Sequence, residues 1–222
     1  MIRSWLKVAS FSFAVALIAS QLAGQAKPAP AAKSILTAAE LTLKKSIGSP
    51  QAPITLEIFS DYQCPACQDM YLHTTLPLID NYVNTGKVYL VHRDFPLDMH
   101  PYSHQAARWL NAVAAATTLF EAAEIALYSK QEQWGSTGNI EQTLAGALPA
   151  ADMNKVRAIE LAQRTQLDAA VESDVALGKS RNVNGTPTVF VIQRGHPMVP
   201  LPSGPVPYPL LKQYLDSLLQ QR

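Results

Sequence analysis

The residues best suited to chemistry are Cys64 and Cys67, the only two cysteines in the sequence. They could form a structural staple, part of a metal site or a redox couple. As a staple the pair is weak, because its four-residue loop gives roughly 2 kcal/mol, against about 3 kcal/mol for a loop of about 15 residues. A structural zinc site usually has four Cys or His ligands, and none of the five histidines forms such a motif close to the pair. The spacing therefore favours a redox couple without a metal.

The segments on either side of the pair predict how it is held. Residues 54–59 (ITLEIF) indicate a strand, a helical pattern follows to about residue 84, and residues 87–95 (KVYLVHRDF) indicate a second strand. In one sheet this β-α-β unit implies parallel strands joined by a right-handed crossover. The cysteines then begin the helix, where unpaired N–H groups and the helix dipole favour an anion. Since Pro65 suits the first helical position, we expect Cys64 at the N-cap.

This placement predicts different roles for the two sulfurs. A thiol with an ordinary pKa of about 8.5 is only about 3% ionised at pH 7, and the thiolate is the reactive form. A lower pKa makes the thiolate dominant and stabilises the dithiol state, so that the disulfide becomes more oxidising. We expect Cys64 to form the mixed disulfide with a substrate, and the more buried Cys67 to resolve it.

The later elements complete an α/β arrangement. From about residue 101 to residue 179 the sequence is rich in Ala, Leu and Gln, with apolar residues at helical spacing. Residues 183–192 (VNGTPTVFVI) predict a turn and a strand, and the X-Pro bond entering the strand is a position where a cis proline can occur. The predicted helices of this half of the chain are 101–116, 118–130, 139–147, 152–178 and 208–220.

The N-terminus predicts export. Arg3 and Lys7 make a basic start, an apolar run covers about Val8 to Leu22, and small residues follow as far as Ala26. This is the layout of a secretory signal peptide, which we place at residues 1–26. The alternative is a retained membrane anchor, but a spanning helix needs about 20 apolar residues, and this run is shorter and interrupted by serines. We therefore expect a periplasmic or other extracytoplasmic protein.

Composition narrows the remaining possibilities. Apolar residues make up 48% of the chain, an ordinary value for a folded domain. The formal charge of +1 leaves no excess to attract nucleic acid or acidic lipid, so we expect no nucleic-acid partner. Residues 27–45 indicate an Ala/Pro linker followed by a short helix or an edge strand, and residues 46–222 indicate one domain.

Three features together resemble the DsbA-like branch of the thioredoxin superfamily. They are the CPAC pair between a strand and a helix, the GTP turn that enters a later strand, and the helical block that lies between these two. The segments that carry the resemblance are GSPQAPITLEIFSDYQCPAC, VHRDFPLDMHP, ALYSKQEQW and GTPTVFV. The resemblance covers nearly all of residues 46–222. It implies an α/β thioredoxin fold with an inserted helical domain at about 98–180.

The resemblance also implies roles for individual residues. Cys64 resembles the exposed nucleophile of the family, and Cys67 resembles its buried partner. Pro187 resembles the cis-proline that packs beside the disulfide. Thr186 would offer its backbone N–H and C=O to an extended substrate peptide. The dipeptide Pro65-Ala66 occupies the variable position that tunes the redox potential.

One position departs from the family pattern. Family members often carry an acidic residue six positions before the first cysteine, near the buried sulfur, where it moves protons. Here that position is Ile58, and Glu57 is one residue away. Strand alternation points the two side chains to opposite faces. Either a local bulge re-aims Glu57 as the proton relay, or Glu57 is a solvent-facing carboxylate, with Asp61 and His92 as weaker substitutes.

The leading functional hypothesis is an exported thiol oxidase that gives its disulfide to secreted proteins and is reoxidised by a membrane redox partner. A reductase or isomerase would use the same residues, and a non-catalytic peptide-binding module is the third hypothesis. The segment between residue 26 and the first core strand is too short for the dimerisation domain that isomerases of this superfamily typically add. We therefore expect a monomer, and we expect it to need no cofactor. The Pro-Ala dipeptide between the cysteines does not fix the direction of electron flow.

Overall fold

The computed structural model describes residues 36–221, so that the predicted signal peptide and most of the predicted linker lie outside the described residues. The strands of the described part are β1 (Ser46–Ile47), β2 (Ile54–Ser60), β3 (Val88–Asp94), β4 (Thr188–Gln193) and β5 (Val199–Pro200). Its α-helices are α1 (Ala38–Lys44), α2 (Pro65–Met70), α3 (Leu76–Leu78), α4 (Ser103–Ala116), α5 (Phe120–Ser129), α6 (Gln131–Gly135), α7 (Ile140–Ala145), α8 (Ala150–Ala162), α9 (Arg164–Ser180) and α10 (Tyr208–Gln220).

The five strands form one sheet in the order β1-β3-β2-β4-β5. Strand β2 pairs in parallel with β3 and antiparallel with β4, and this confirms the predicted β-α-β unit. Strand β2 is central and has packing on both faces, which explains its nearly continuous apolar sequence. Ile58 contributes to the core on one face, and Phe59 packs with the helical insertion on the other.

The helix after the cysteines changes its pitch around Pro77. Helix α2 continues into a π-helical turn (Tyr71–Thr75), then α3, then a second π-helical turn (Ile79–Val83). Proline has no N–H to donate and its ring crowds the carbonyl four residues earlier, and wider π turns are one way in which a helix accommodates such a defect. The helical pattern predicted to about residue 84 is therefore present as one run.

The helical insertion lies between β3 and β4 and contains α4 to α9. The single helix predicted at 152–178 is wrong, because α8 ends and α9 begins on either side of Gln163. Trp109 and Trp134 are both buried within this block. The indole N–H of Trp134 donates to the carbonyl of Leu127 at 2.8 Å.

Residues 36–45, the described end of the predicted linker segment, pack against the domain that follows. Thr37 and Glu40 form a capping box at the start of α1. Leu41 is buried, and Lys45 is only 2% exposed, with its ammonium between Asp94 and Asp174. A lysine enters a core in this way only when carboxylates pair with it. Within residues 36–221, no helix has the length and apolar character needed to cross a bilayer.

Candidate active site

The CPAC turn joins the end of β2 to the start of α2. Cys64 is the N-cap of α2, with extended backbone angles (φ −77°, ψ 122°), and Pro65 is the first helical residue. The Cys64 carbonyl accepts hydrogen bonds from the N–H groups of Cys67 and Gln68, both at 3.1 Å. The predicted N-cap placement is therefore confirmed, and it directs the Cys64 sulfur toward the free amides of the first turn.

The loop before β4 covers Cys64. The Thr186–Pro187 peptide bond is cis, as predicted, and the Cys64 thiol donates to the Thr186 carbonyl at 3.6 Å. Cys64 is 7% exposed, so it is less open than the exposed nucleophile that the resemblance implies. The cis-proline loop and the cysteine are thus in direct contact, and a substrate would reach the sulfur at this loop.

The electrostatics of the first turn stabilise the Cys64 thiolate. A hydrogen bond from the Cys67 thiol, with smaller contributions from the N–H groups of Cys67 and Ala66, outweighs burial and lowers the pKa of Cys64 to about 5. A thiol with this pKa is almost fully ionised at pH 7. The sequence-based expectation of an activated Cys64 therefore has a specific structural cause.

Cys67 has the opposite environment. It is 2% exposed, and its sulfur accepts a hydrogen bond from the Asp61 N–H at 3.4 Å. Burial and the neighbouring negative Cys64 raise the pKa of Cys67 well above its usual range. The two sulfurs, both free thiols in the structure, therefore differ strongly in acidity.

The Asp61 carboxylate fixes the turn that precedes the cysteines. One oxygen accepts the Gln63 N–H at 2.7 Å, and the other accepts the Leu97 N–H at 2.9 Å and lies 2.7 Å from His100 Nδ1. The side chain is fully buried. Asp61 was predicted as a weak substitute for the proton relay, but its carboxylate contacts place it as a support for the loop.

The helical insertion supplies contacts to the CPAC turn that sequence reasoning missed. The Gln131 side-chain N–H donates to the carbonyls of Tyr62 at 2.8 Å and Cys64 at 3.0 Å. The Gln68 side chain donates to the Tyr128 carbonyl at 2.6 Å. Residues 128 and 131 lie in ALYSKQEQW, which carried the family resemblance, but nothing in that segment indicated which residues would face the cysteines.

Glu57 matches neither of its two sequence-based descriptions. It is 4% exposed, so it is not solvent-facing, and it pairs with Arg181 and with Arg93, whose Nε lies at 2.5 Å. The pairing of β2 runs without interruption from Ile54 to Ser60, so no bulge re-aims Glu57 toward Cys67. The proton-relay hypothesis for Glu57 therefore gains no support, because its carboxylate is committed to two arginines on the opposite face of the sheet.

Comparison with known proteins agrees with this fold. A family model described as thioredoxin matches residues 42–199, and the chain belongs to that family. The structure of oxidised BdbD from Bacillus subtilis has a TM-score of 0.65 and 20% identity, covering 79% of this chain and 92% of BdbD. The structure of α-DsbA1 from Wolbachia pipientis has a TM-score of 0.64 and 18% identity, with coverage of 80% and 91%.

One relative that matches this chain in sequence is an antiporter. The Na⁺/H⁺ antiporter NhaA 3 of Salinispora tropica is 26% identical in a 201-residue alignment that covers 79% of this chain and 27% of the antiporter. The chain thus spans about a quarter of the length of that relative. The chain is thus a thioredoxin-family protein whose fold is similar to that of DsbA structures, with a CPAC turn at the start of α2 and a cis-proline before β4.

Proposed function

We propose that the protein is an exported thiol oxidase that transfers a Cys64–Cys67 disulfide to secreted or periplasmic proteins with reduced cysteines. The observation that carries the proposal is the stabilised Cys64 thiolate at the N-cap of α2, with a pKa of about 5. Stabilising the thiolate favours the dithiol state, and a protein whose dithiol is favoured gives its disulfide away readily.

The exchange proceeds in two attacks. A substrate thiolate attacks the Cys64 sulfur, the Cys64–Cys67 bond breaks, and Cys67 leaves with the electron pair. A second substrate thiolate then attacks the substrate sulfur of the mixed disulfide, and Cys64 leaves as a thiolate. The substrate is oxidised to a disulfide by two electrons, and the Cys64–Cys67 pair is reduced by two. A low pKa makes Cys64 a good leaving group in the second step, and a membrane redox partner would restore the disulfide.

The loop at Thr186 and Pro187 would bind the substrate. The Thr186 carbonyl contacts Cys64, so an extended peptide with its cysteine at this sulfur lies within reach of the Thr186 backbone. Pairing with that backbone would hold the peptide in the manner of an added strand. Pro65 and Ala66 separate the two sulfurs, and the N–H of Ala66 helps to lower the pKa of Cys64.

The test is single-turnover oxidation of a reduced two-cysteine peptide by the oxidised protein, with acid quenching and mass spectrometry. We expect rapid formation of the peptide disulfide. Cys64→Ser should abolish it, and Cys67→Ser, started from a mixed disulfide, should leave that adduct unresolved. Catalysis of insulin reduction without peptide oxidation would instead favour a reductase or isomerase, and full activity of the Cys64→Ser protein would favour a binding module.

Export has a separate test. If residues 1–26 are a cleaved signal peptide, the protein recovered from an extracytoplasmic fraction begins at Lys27 by intact-mass analysis. Recovery of the full-length chain in the membrane fraction would instead indicate a retained anchor. Sedimentation of the recovered protein would test the proposed monomer.

A further inference from the structure

A small cavity lies beside Cys67, between the sheet and helix α5. Its volume is about 20 Å³, which is room for one water molecule. Ser60 and Pro187 contribute to the wall next to the cysteine. The titratable side chains that line the cavity are Lys45, Cys67, Tyr71, His92, Glu124 and Tyr128.

Glu124 is a buried carboxylate on the insertion, without a role in the exchange described above. It is 3% exposed, and its Oε1 lies 2.8 Å from His92 Nδ1. The other ring nitrogen of His92 lies 2.9 Å from the Tyr62 hydroxyl and 3.2 Å from Asp94. His92 therefore holds the Glu124 carboxylate at the cavity wall.

A second buried group also points to a molecule in this space. Among residues 36–221, the buried Tyr71 hydroxyl makes no hydrogen bond to a protein group. Burial and the charge of Glu124 together raise the pKa of Tyr71, so it stays protonated. A hydroxyl that lacks a protein partner and a carboxylate on the wall of the same cavity are the polar groups that a buried water requires.

Polar groups also connect the cavity to the sulfur. The Ser60 hydroxyl lies 2.7 Å from the Tyr128 hydroxyl, and the Tyr128 ring stacks on Tyr71 with 4.6 Å between centroids. Burial has the largest effect on Cys67 and raises its pKa, and hydrogen bonding from Ser60 acts in the opposite direction. Ser60, Tyr128 and Glu124 therefore line the same cavity as Cys67.

The exchange reaction needs a proton at this place. When the Cys64–Cys67 bond breaks, Cys67 keeps the electron pair and takes up one proton to become a thiol. When Cys67 attacks a mixed disulfide on Cys64, it loses that proton, the new S–S bond forms, and the electron pair of the broken bond leaves on the partner's sulfur. A thiolate without proton exchange would be costly at a site that is 2% exposed.

We propose that Glu124 exchanges this proton with Cys67 through one water molecule in the cavity, and that His92 holds the Glu124 carboxylate in position. The inference rests on the proposed thiol–disulfide exchange. Glu124 would act through water and so would be a proton-transfer residue that does not itself contact the reacting sulfur.

The other charged groups around the cavity keep their states between about pH 5 and pH 8. Lys45 pairs with Asp94 and Asp174, which together overcome its burial and raise its pKa. Burial alone would lower the pKa of His92, but the neighbouring Glu124 and Asp94 carboxylates raise it to about 9. Burial raises the pKa of Tyr128, and Glu121, one turn earlier on α5, is the further carboxylate that faces Glu124.

The experiment measures the resolving step as a function of pH. The mixed disulfide between Cys64 and a one-cysteine peptide is prepared, and release of the peptide by Cys67 is followed by acid quenching and mass spectrometry. We expect Glu124→Gln to slow release about 10²-fold at pH 7, within the usual range for loss of a general acid or base. In that variant release should rise about tenfold per pH unit, because hydroxide must then remove the proton.

Glu141→Gln is the matched control, because it removes an exposed carboxylate of the same insertion, paired with Arg157, and should leave the rate and its pH profile unchanged. Unchanged release and an unchanged profile in folded Glu124→Gln protein would overturn the proposal. If that variant does not fold, Glu124→Asp keeps the charge opposite His92 but withdraws the carboxylate from the cavity, and an unaltered rate there would also overturn it. Failure of the wild-type protein to release peptide at all would refute the proposed exchange itself.

Discussion

At the scale of single residues, the site depends on the contrast between two chemically identical sulfurs. Cys64 lies at a helix N-cap, where it accepts hydrogen bonds, and its pKa falls to about 5. Cys67 lies one turn deeper, where burial raises its pKa. The sequence predicted this contrast from the spacing alone, because a strand followed by CPAC and a helix leaves few other placements.

The Cys67 thiol is the largest single cause of the low pKa of Cys64. We therefore expect Cys67→Ala to raise the pKa of Cys64 by removing the donor, and Cys67→Ser to raise it less, because the hydroxyl still donates. Thiolate absorbance at 240 nm over a pH titration measures both. An equal pKa in the two variants would show that the backbone N–H groups alone stabilise the thiolate.

At the scale of elements, close approach between helix α9 and the sheet positions the insertion. A Cβ added at Gly178 would lie 2.6 and 2.7 Å from two ring atoms of Phe95 and 3.0 Å from Phe59. The Phe59 and Phe95 rings already pack edge to face, with 6.1 Å between centroids. Only a residue without a side chain allows this contact between α9 and the end of the strands.

We expect Gly178→Ala to lower the free energy of unfolding by about 1–2 kcal/mol, because overpacking costs about 1–3 kcal/mol and the gain in helix propensity returns at most about 1 kcal/mol. Urea denaturation measures the difference. Gly185→Ala is the matched control, since a Cβ there meets nothing within 4 Å. Equal stability of the two variants would contradict this account of the α9 contact.

Elements differ in how well the sequence predicted them. Strands β2 and β3 and helix α10 have local patterns that match their positions. The break between α8 and α9 has no Gly or Pro at Gln163 to signal it, and it depends on packing within the insertion. Gln131, 67 residues from Cys64 in the chain, and Glu124, which lines the cavity beside Cys67, were missed because the direction of their side chains depends on tertiary structure.

At the scale of the whole molecule, buried charges connect the sheet to the insertion. Lys45 precedes β1, Asp94 ends β3, and Asp174 lies on α9, and the lysine pairs with both carboxylates. A connected set of ion pairs joins four carboxylates to four cationic side chains. The carboxylates are those of Glu57, Asp94, Glu124 and Asp174, and the cationic side chains are those of Lys45, His92, Arg93 and Arg181. The charges balance only when His92 is protonated.

This balance predicts a loss of stability in alkali. Burial disfavours the charged form of His92, but Glu124 and Asp94 prevail and raise its pKa from 6.5 to about 9. Because the folded pKa is the higher one, the stabilisation is complete below about pH 6.5 and is lost as the pH rises through about 9. The order of magnitude is about 3 kcal/mol.

Urea denaturation of a Cys64→Ser, Cys67→Ser background between about pH 6 and pH 9.5 measures this effect without thiol titration. We expect the free energy of unfolding to fall across that range, and adding His92→Gln should remove most of the slope. The side chain of His73 is 73% exposed, so His73→Gln should keep the slope. A slope that survives loss of His92 would assign the alkaline transition to another group.

If the stabilised Cys64 thiolate makes the disulfide an oxidant, the equilibrium reduction potential of the Cys64–Cys67 pair should be high. The protein is equilibrated with mixtures of reduced and oxidised glutathione, and the dithiol fraction is measured after acid quenching. We expect a potential of about −120 mV, in the range of strong thiol oxidants. A potential near about −270 mV, typical of a reductant, would contradict this expectation.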